Sequence, residues 1–365
     1  MSIEELGPEP RVEDLRVASF RPLLSPQEVR RANPPTERGL AAVDAGRNAI
    51  RSTLDSEILG NRLIVVTGPC SVHNVDQSLE YTAWLREKRA AYSNELELLQ
   101  RVYFEKPRTT VGWEGLVMDP HLDESFDINY GLMAAGKLLR DTTDQGVPVA
   151  TEWLDTDTPE YYGGFISWGA IGARTTESPL HRRLASGLSS PIGFKNGTGG
   201  NIQLAVDAVI AASYEHRFIG TKEDGRRAIV ATKGNPDCHI VLRGGSNGPN
   251  YSPDKIEEAA VALERAHLAK KVMIDASHGN SSKDYRNQLP VVREIARQVS
   301  DGNNTIMGVM VESNLIEGKQ DFKPGGPFEY GVSITDGCVN LDETDLMFQI
   351  LADAVQSRRS KSSIM

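Results

Sequence analysis

The sequence predicts an α/β protein: a (β/α)8 barrel carrying an N-terminal arm and helix and an inserted β-hairpin. Three observations lead there. Eight short apolar, β-branched runs recur between residues 63 and 313. Amphipathic stretches of helical spacing separate them, as in parallel strands joined by crossover helices. Nearly every run also ends in polar or glycine-rich chemistry, and a closed barrel gathers strand C-termini at one mouth.

Taken in order, residues 1–60 read as an extension outside the barrel that serves an interface or regulation. "FRPLLSPQEVRRANPPTERG" is rich in proline and charge, and "GLAAVDAGRNAIRSTLDSEIL" (39–59) has helical spacing. The barrel is expected over 61–355. Its strand runs are "LIVVTGP", "LELLQRVYF", "VPVAT", "FISWGAIGAR", "PIGFKNG", "CHIVLRGG", "KVMIDASHG" and "IMGVMVES". Helices are expected at "DQSLEYTAWLREKRAAY", "GLMAAGKLLRDTTDQG", "NIQLAVDAVIAASY" and "SPDKIEEAAVALERAHLAKK". Within 214–237 a Lys-Glu-Asp-Gly turn between apolar runs reads as a hairpin rather than a helix. Residues 356–365 read as a C-terminal tail.

A 365-residue chain is long enough for one large α/β domain, and 25% charged content with 39% hydrophobic content is that of a folded globular protein. The net charge of −10 speaks against nucleic-acid or membrane-surface partners, so any anion must be held by a local cluster. No apolar stretch reaches the ~18 residues a membrane span needs. Three cysteines give no disulfide framework, and "MSIEELGPEP" shows no basic-then-apolar signal pattern; the expected compartment is the reducing cytoplasm.

The strand ends hold two sets of chemistry. Arg101, Lys106, Arg108, Arg174, Lys195 and Arg243 all lie in or just after a run. Six cations around one mouth repel one another unless anions occupy it, and guanidinium forks grip phosphate and carboxylate. Taken singly, each has the plainer reading of a salt bridge to a neighbouring acid. Cys70, His278, Glu312 and Asp336 also follow strands; thiolate, imidazole and two carboxylates suit a divalent transition metal. A buried thiol and solvated acids are the alternative, and His73, His181 and His239 compete for the imidazole role. Glu152, at another strand end, is placed to orient a water or a lysine. The chain has no Walker motif and no GxGxxG opening a βα unit. Lys195 as a Schiff base needs a depressed pKa, which a lysine bound to anions does not have. Ser189, Ser246 and Ser277 have no nucleophile-elbow context, and the four tryptophans read as packing.

The motifs "GPCSVHN", "RVYFEKPRTTVGWEG", "GARTTES", "GFKNGT", "LRGG", "MIDASHGNSSKDY", "GVMVESN" and "SITDGC", in this order, resemble the type I 3-deoxy-D-arabino-heptulosonate 7-phosphate (DAHP) synthases, over about residues 15–355. The visible departures are in loops, such as the extra residue in "GGSNGPNY". The resemblance implies a metal-dependent, aldol-like condensation of phosphoenolpyruvate with erythrose 4-phosphate, the first step of the shikimate pathway. It implies that Arg101 and Lys195 hold phosphoenolpyruvate near its carboxylate, that Arg174 and Arg243 hold its phosphate beside Ala173, and that Lys106 lies between the substrates. Pro107, Arg108, Thr109 and Asp336 then meet erythrose 4-phosphate. Cys70, His278, Glu312 and Asp336 carry over as the ligands of a divalent ion, with manganese, cobalt, iron or zinc all suitable. Lys106, Cys70, His278 and Glu152 are the implied catalytic set. The family's regulated members further imply an aromatic amino acid effector near Asp155, Pro159, Ser189, Phe218 and Gly220, and a homodimer or homotetramer. Gly220 stands where phenylalanine-responsive relatives have serine, which favours tyrosine.

Two rival readings remain at this level. The sister synthases that use arabinose 5-phosphate usually show an "ANRS"-like stretch where this chain has "KPRTT", and they lack the long arm. A catalytically silent, anion-sensing barrel would not need its ligand positions intact. A metal hydrolase is weaker still, since the early HxH pair is missing.

Overall fold

The computed structural model describes residues 13–55, 62–108 and 110–362. In chain order the strands are β1 (Leu63–Gly68), β2 (Leu96–Arg101), β3 (Val149–Glu152), β4 (Ile166–Ile171), β5 (Ile192–Lys195), β6 (Arg217–Thr221), β7 (Arg227–Ala231), β8 (Cys238–Leu242), β9 (Val272–Asp275) and β10 (Ile306–Glu312). The helices are α1 (Pro26–Ala32), α2 (Glu37–Leu54), α3 (Val75–Ala91), α4 (Ile128–Asp144), α5 (Thr158–Tyr162), α6 (Pro179–Ala185), α7 (Gln203–Ala212), α8 (Pro253–Arg265), α9 (Gln288–Ser300) and α10 (Leu341–Ser362).

Strands β1, β10, β9, β8, β5, β4, β3 and β2 form a closed parallel barrel in that spatial order, and β1 pairs with both β10 and β2. Each strand lies where the sequence placed a run. Such strands are covered on both faces, which is why they read as nearly unbroken apolar segments. Arg101, Glu152, Lys195, Asp275 and Glu312 each end a strand, at the C-terminal side of the barrel. Strands β6 and β7 form the separate antiparallel hairpin expected within 214–237.

Two boundaries differ from expectation. Helix α2, expected outside the main fold, seals the N-terminal end of the barrel. Ile50 is fully buried and packs in the barrel interior with Ile64, Trp168 and Met307. Arg47 donates to the carbonyls of Gly163 and Ile166 at 2.8 Å, at the entry to β4. Gly46 allows this approach, since a Cβ there would stand 2.7 Å from Pro148. Five further residues of the predicted helix (55–59) lie beyond α2, and 56–59 are outside the described residues. At the other end, α10 runs through the boundary expected at 355; Arg359 donates to Asn94 O at 2.8 Å, so the helix carries on against the approach to β2.

Candidate active site

The C-terminal mouth holds a cavity of about 300 Å³ lined by Arg101, Lys106, Arg108, Arg174, Lys195 and Arg243, the six cations expected there, joined by Lys283. Glu152 and Asp336 are the carboxylates in the same lining, so positive charge dominates. Pro107, Ala173 and His278 complete the predicted residues that face it. Thr109 lies outside the described residues.

Local structure explains the glycines of this rim. Gly172 carries no side chain because a Cβ there would collide with Glu152 Oε1. Gly244 has φ +67° and packs so closely that a Cβ would lie 2.6 Å from Asn280 N, which joins the loop after β8 to the loop after β9. The Arg243 N–H donates to Asn196 Oδ1 at 2.8 Å, fixing the arginine's backbone against the end of β5.

At the cavity's edge Asp336, with Cys70 and Glu312 behind it, brings three donor atoms within 4.8 Å of one another. His278 adjoins this trio rather than sharing its full span: its Nε2 stands 3.8 Å from Glu312 Oε1. Its backbone is held in the left-handed region at φ +55°, a conformation that L residues keep only where the surroundings impose it. Lys106 Nζ lies 2.7 Å from Cys70 Sγ and 3.0 Å from Asp336 Oδ2. Arg101 is enclosed: it donates to Pro69 O and Cys70 O, pairs with Glu312 at 2.9 Å, and lies 3.5 Å over the Tyr103 ring.

The electrostatics follow from burial opposed by pairing. Burial, reinforced by the Glu312 charge, pushes the Cys70 thiol up to about 12. Burial would lower Lys106, but Cys70 and Asp336 beside it raise it, so the ammonium is kept. The same ammonium is the main cause that holds Asp336 below the usual carboxylate range. Glu312 is lowered despite burial, because His278 and Arg101 face it.

The donor set therefore fits a divalent transition metal: a thiol and two carboxylates are already gathered, two of the three fully enclosed, with an imidazole nitrogen turned to the same carboxylate. The rival histidines are engaged elsewhere. His181 is bonded to Ser178 Oγ and Leu154 O, and His239 accepts from Trp168 inside the barrel. His73 packs edge-on to Phe328, and burial lowers it to about 4.

Besides Lys283, sequence reasoning missed two residues behind the rim. Asp275 is fully buried, with Oδ2 3.0 Å from Lys195 Nζ and 2.9 Å from His278 Nδ1. Ser277, set aside as a nucleophile, donates to Glu312 Oε2 at 2.7 Å and so orients that carboxylate. An acid closing an apolar strand, three residues before a candidate ligand, was the available signal for Asp275.

A second cavity of about 390 Å³ lies under the hairpin, walled by Leu180, Leu184, Phe218 and Ile219, with Asp157, Arg183 and Arg217 at its polar edge. Phe218 and Gly220 are among its lining residues. Asp155 and Pro159 adjoin it beside Thr156, Asp157 and α5, whereas exposed Ser189 is not among its lining residues and accepts from Arg51 through its carbonyl. Beside Gly220 the place of a Cβ is 2.6 Å from Val230 Cγ2, so a valine methyl fills part of the room a missing side chain would leave.

The fold and mouth define an α/β barrel with a strongly cationic cavity next to a metal-fitting cage. The chain matches the DAHP synthetase I family model over residues 54–349. It is 49% identical over 95% of its length to the Phe-sensitive phospho-2-dehydro-3-deoxyheptonate aldolase of Escherichia coli K12, covering 98% of that protein. It is 45% identical over 92% of its length to the Tyr-sensitive enzyme of the same organism, covering 94% of it. A solved phospho-2-dehydro-3-deoxyheptonate aldolase from Francisella tularensis SCHU S4 superposes with a TM-score of 0.90 at 46% identity, over 94% of this chain and 99% of that one. The chain belongs to the DAHP synthetase I family. It is accordingly a transferase-type enzyme with DAHP synthase function in aromatic biosynthesis.

Proposed function

We propose that this enzyme condenses phosphoenolpyruvate with D-erythrose 4-phosphate, giving DAHP and inorganic phosphate, with a divalent metal at Cys70, His278, Glu312 and Asp336. The observation that carries this reading is the single cavity in which the cations meet the edge of the ligand cage. Two phosphates and a carboxylate supply the negative charge that such a mouth needs. When bound, the ion supplies Lewis-acid polarisation of the aldehyde.

The chain's own residues do the rest. Lys195 and Arg101 hold phosphoenolpyruvate by its carboxylate, and Arg174 and Arg243 hold its phosphate next to Ala173. Pro107, Arg108 and Thr109 receive the sugar phosphate. As C3 of phosphoenolpyruvate attacks the aldehyde carbon, the Lys106 ammonium, held charged by its neighbours, donates to the aldehyde oxygen. Water adds to the electron-poor C2, oriented by Glu152, whose carboxylate accepts its proton. The C2–O bond to phosphate then breaks, the C2 hydroxyl proton leaves with the phosphate, and the ketone remains.

Regulation by an aromatic amino acid fits the cavity under the hairpin. Arg183 and Arg217 suit a carboxylate, Asp157 an ammonium, and the leucines and Phe218 a ring. Gly220 makes tyrosine the first effector to test. The arm reaches this region: the Gln27 N–H donates to Glu223 O at 2.7 Å. Ile219 and Ile229 pair across the hairpin and are 73% and 84% exposed, which suits burial against a second copy in a dimer or tetramer. The cytoplasm is the proposed compartment; among the described residues no helix is long and apolar enough to cross a membrane.

The test follows phosphoenolpyruvate consumption with erythrose 4-phosphate or arabinose 5-phosphate, with and without chelator, and with each aromatic amino acid. Turnover with the four-carbon sugar alone, lost to chelator and restored by metal, is expected. Preference for the five-carbon sugar, or indifference to chelator, contradicts the assignment, and equal indifference to all three amino acids removes the regulatory part.

A further inference from the structure

We propose that Asp275 is a positioning residue that couples metal affinity to the occupancy of the substrate-carboxylate contact, by sharing one carboxylate oxygen between His278 and Lys195. The inference rests on the reading of His278 as a metal ligand and Lys195 as a phosphoenolpyruvate contact.

Asp275 ends β9 and has no exposed surface. Its Oδ2 stands between two partners from different parts of the site, 3.0 Å from Lys195 Nζ and 2.9 Å from His278 Nδ1. Its other oxygen is taken, since Oδ1 accepts the Ser277 N–H at 3.0 Å. Its backbone is fixed as well: Asn280 Nδ2 donates to Asp275 O at 2.8 Å. The carboxylate therefore has little freedom to serve one partner without the other.

The Asp275 charge, 2.9 Å from Nδ1, occupies that side of the ring and leaves Nε2 as the ligand atom, the nitrogen that faces Glu312 at 3.8 Å. A carboxylate in that place makes imidazole a stronger ligand, and loss of such a partner typically costs ~10–100-fold in metal affinity. Lys195 draws on the same oxygen and so weakens it as a partner for histidine. An anionic group that attracts the Lys195 ammonium returns that electron density to His278. Substrate carboxylate and metal then favour each other's binding, and the favour is reciprocal.

Cobalt(II) affinity, measured by competition with a metallochromic chelator at pH 8, tests this on the full chain with thermal melts as a check of folding. Lys195→Met should bind cobalt several-fold more tightly than the unmodified chain. Asp275→Asn should bind it ~10–100-fold more weakly. On the Asp275→Asn background the Lys195→Met effect should disappear. Unchanged or weaker binding by Lys195→Met, unchanged binding by Asp275→Asn, or an equal Lys195 effect on both backgrounds overturns the proposal; the last outcome means that lysine acts through space. Should Asp275→Asn fail to fold, the ligand-field spectrum of cobalt-loaded Lys195→Met decides: a shifted band supports action through histidine, and an unshifted one overturns it. His278→Ala separates the two levels. If it keeps full cobalt affinity, the ligand assignment has failed; if it loses cobalt while the Lys195 and Asp275 variants do not respond, only the coupling has failed.

Discussion

The two ends of the barrel bury polar side chains by opposite means. At the floor, beneath α2, His239 takes a hydrogen bond from Trp168 at 3.2 Å, and burial lowers it to about 4, so it stays neutral. At the mouth, Asp275 and Glu312 are buried just as completely, yet the groups there keep their charge because they stand in pairs. Asp275 faces Lys195 and His278, Glu312 faces Arg101 and His278, and Asp336 faces Lys106. Desolvating an ion is expensive, and only a close opposite charge offsets it. Around His239 the ion is removed; at the mouth the ions are matched. A site arranged this way is stable at rest and ready to exchange a protein partner for a substrate or metal charge.

The largest expected effect breaks the mouth alone. Cys70→Ala removes one donor from the cage and is expected to lower metal-dependent turnover by more than the ~10–100-fold that loss of a partner behind a ligand costs. The melting curve should stay close to that of the unmodified chain, because the site is small and the strand keeps its apolar packing. Steady-state assays across several divalent ions, with calorimetry beside them, check both parts. Near-normal activity in metal-free buffer would mean that the cage is structural.

Glu105 sharpens the contrast, because it lies beside the mouth and behaves like a floor residue. It is buried with only a hydroxyl, from Thr158 at 3.2 Å, among its side-chain partners, and burial followed by the Asp155 charge pushes it up to about 8. The folded chain thus keeps a proton that the unfolded chain releases near pH 4.5. Stability from this group is present below that pH and is lost as pH rises toward 8, by on the order of 3–5 kcal/mol in all. Glu105→Gln should flatten that slope, so the variant gains on the unmodified chain as pH rises from 5 to 8. Denaturant midpoints at several pH values measure it; parallel curves would show that Glu105 is charged throughout.

The floor has its own test. Ile50→Ala leaves a hole among Ile64, Trp168 and Met307 and should cost about 2–5 kcal/mol, read from urea unfolding. Turnover per folded molecule should not change. A fall in kcat would mean that the two ends communicate along the strands.

Much of the mouth was legible in the sequence because a closed barrel carries strand ends to one place. Once eight runs are seen, "EKPR", "FKNG", "LRGG" and "DASHG" must share a rim. What the strands could not tell was contact across the rim. Nothing local joins Lys106 to Cys70, and Asp275 looked like the end of an apolar run because its partners come from β5 and from the loop after β9. The role of α2 was hidden for the same reason: Ile50 becomes a core residue only when several strands close around it. Ser189 is a different case: resemblance gives it a place near an effector, it stands outside the lining of the cavity under the hairpin, and effector binding is the test of that place.

The smallest expected effect asks the same residue type to answer for both ends. Arg47 at the floor and Arg101 at the mouth each fork onto two backbone carbonyls, Gly163 and Ile166 in one case, Pro69 and Cys70 in the other. Arg101 also meets a carboxylate and borders the cavity, whereas Arg47 borders nothing that reacts. Lysine keeps the charge but not the planar fork. Arg47→Lys should therefore cost about 1 kcal/mol, roughly one net hydrogen bond, and leave kcat and KM where they are. Equilibrium unfolding read beside steady-state kinetics gives the answer. A change in KM for phosphoenolpyruvate would place Arg47 in the chemistry and dissolve the division between a floor that only holds and a mouth that exchanges partners.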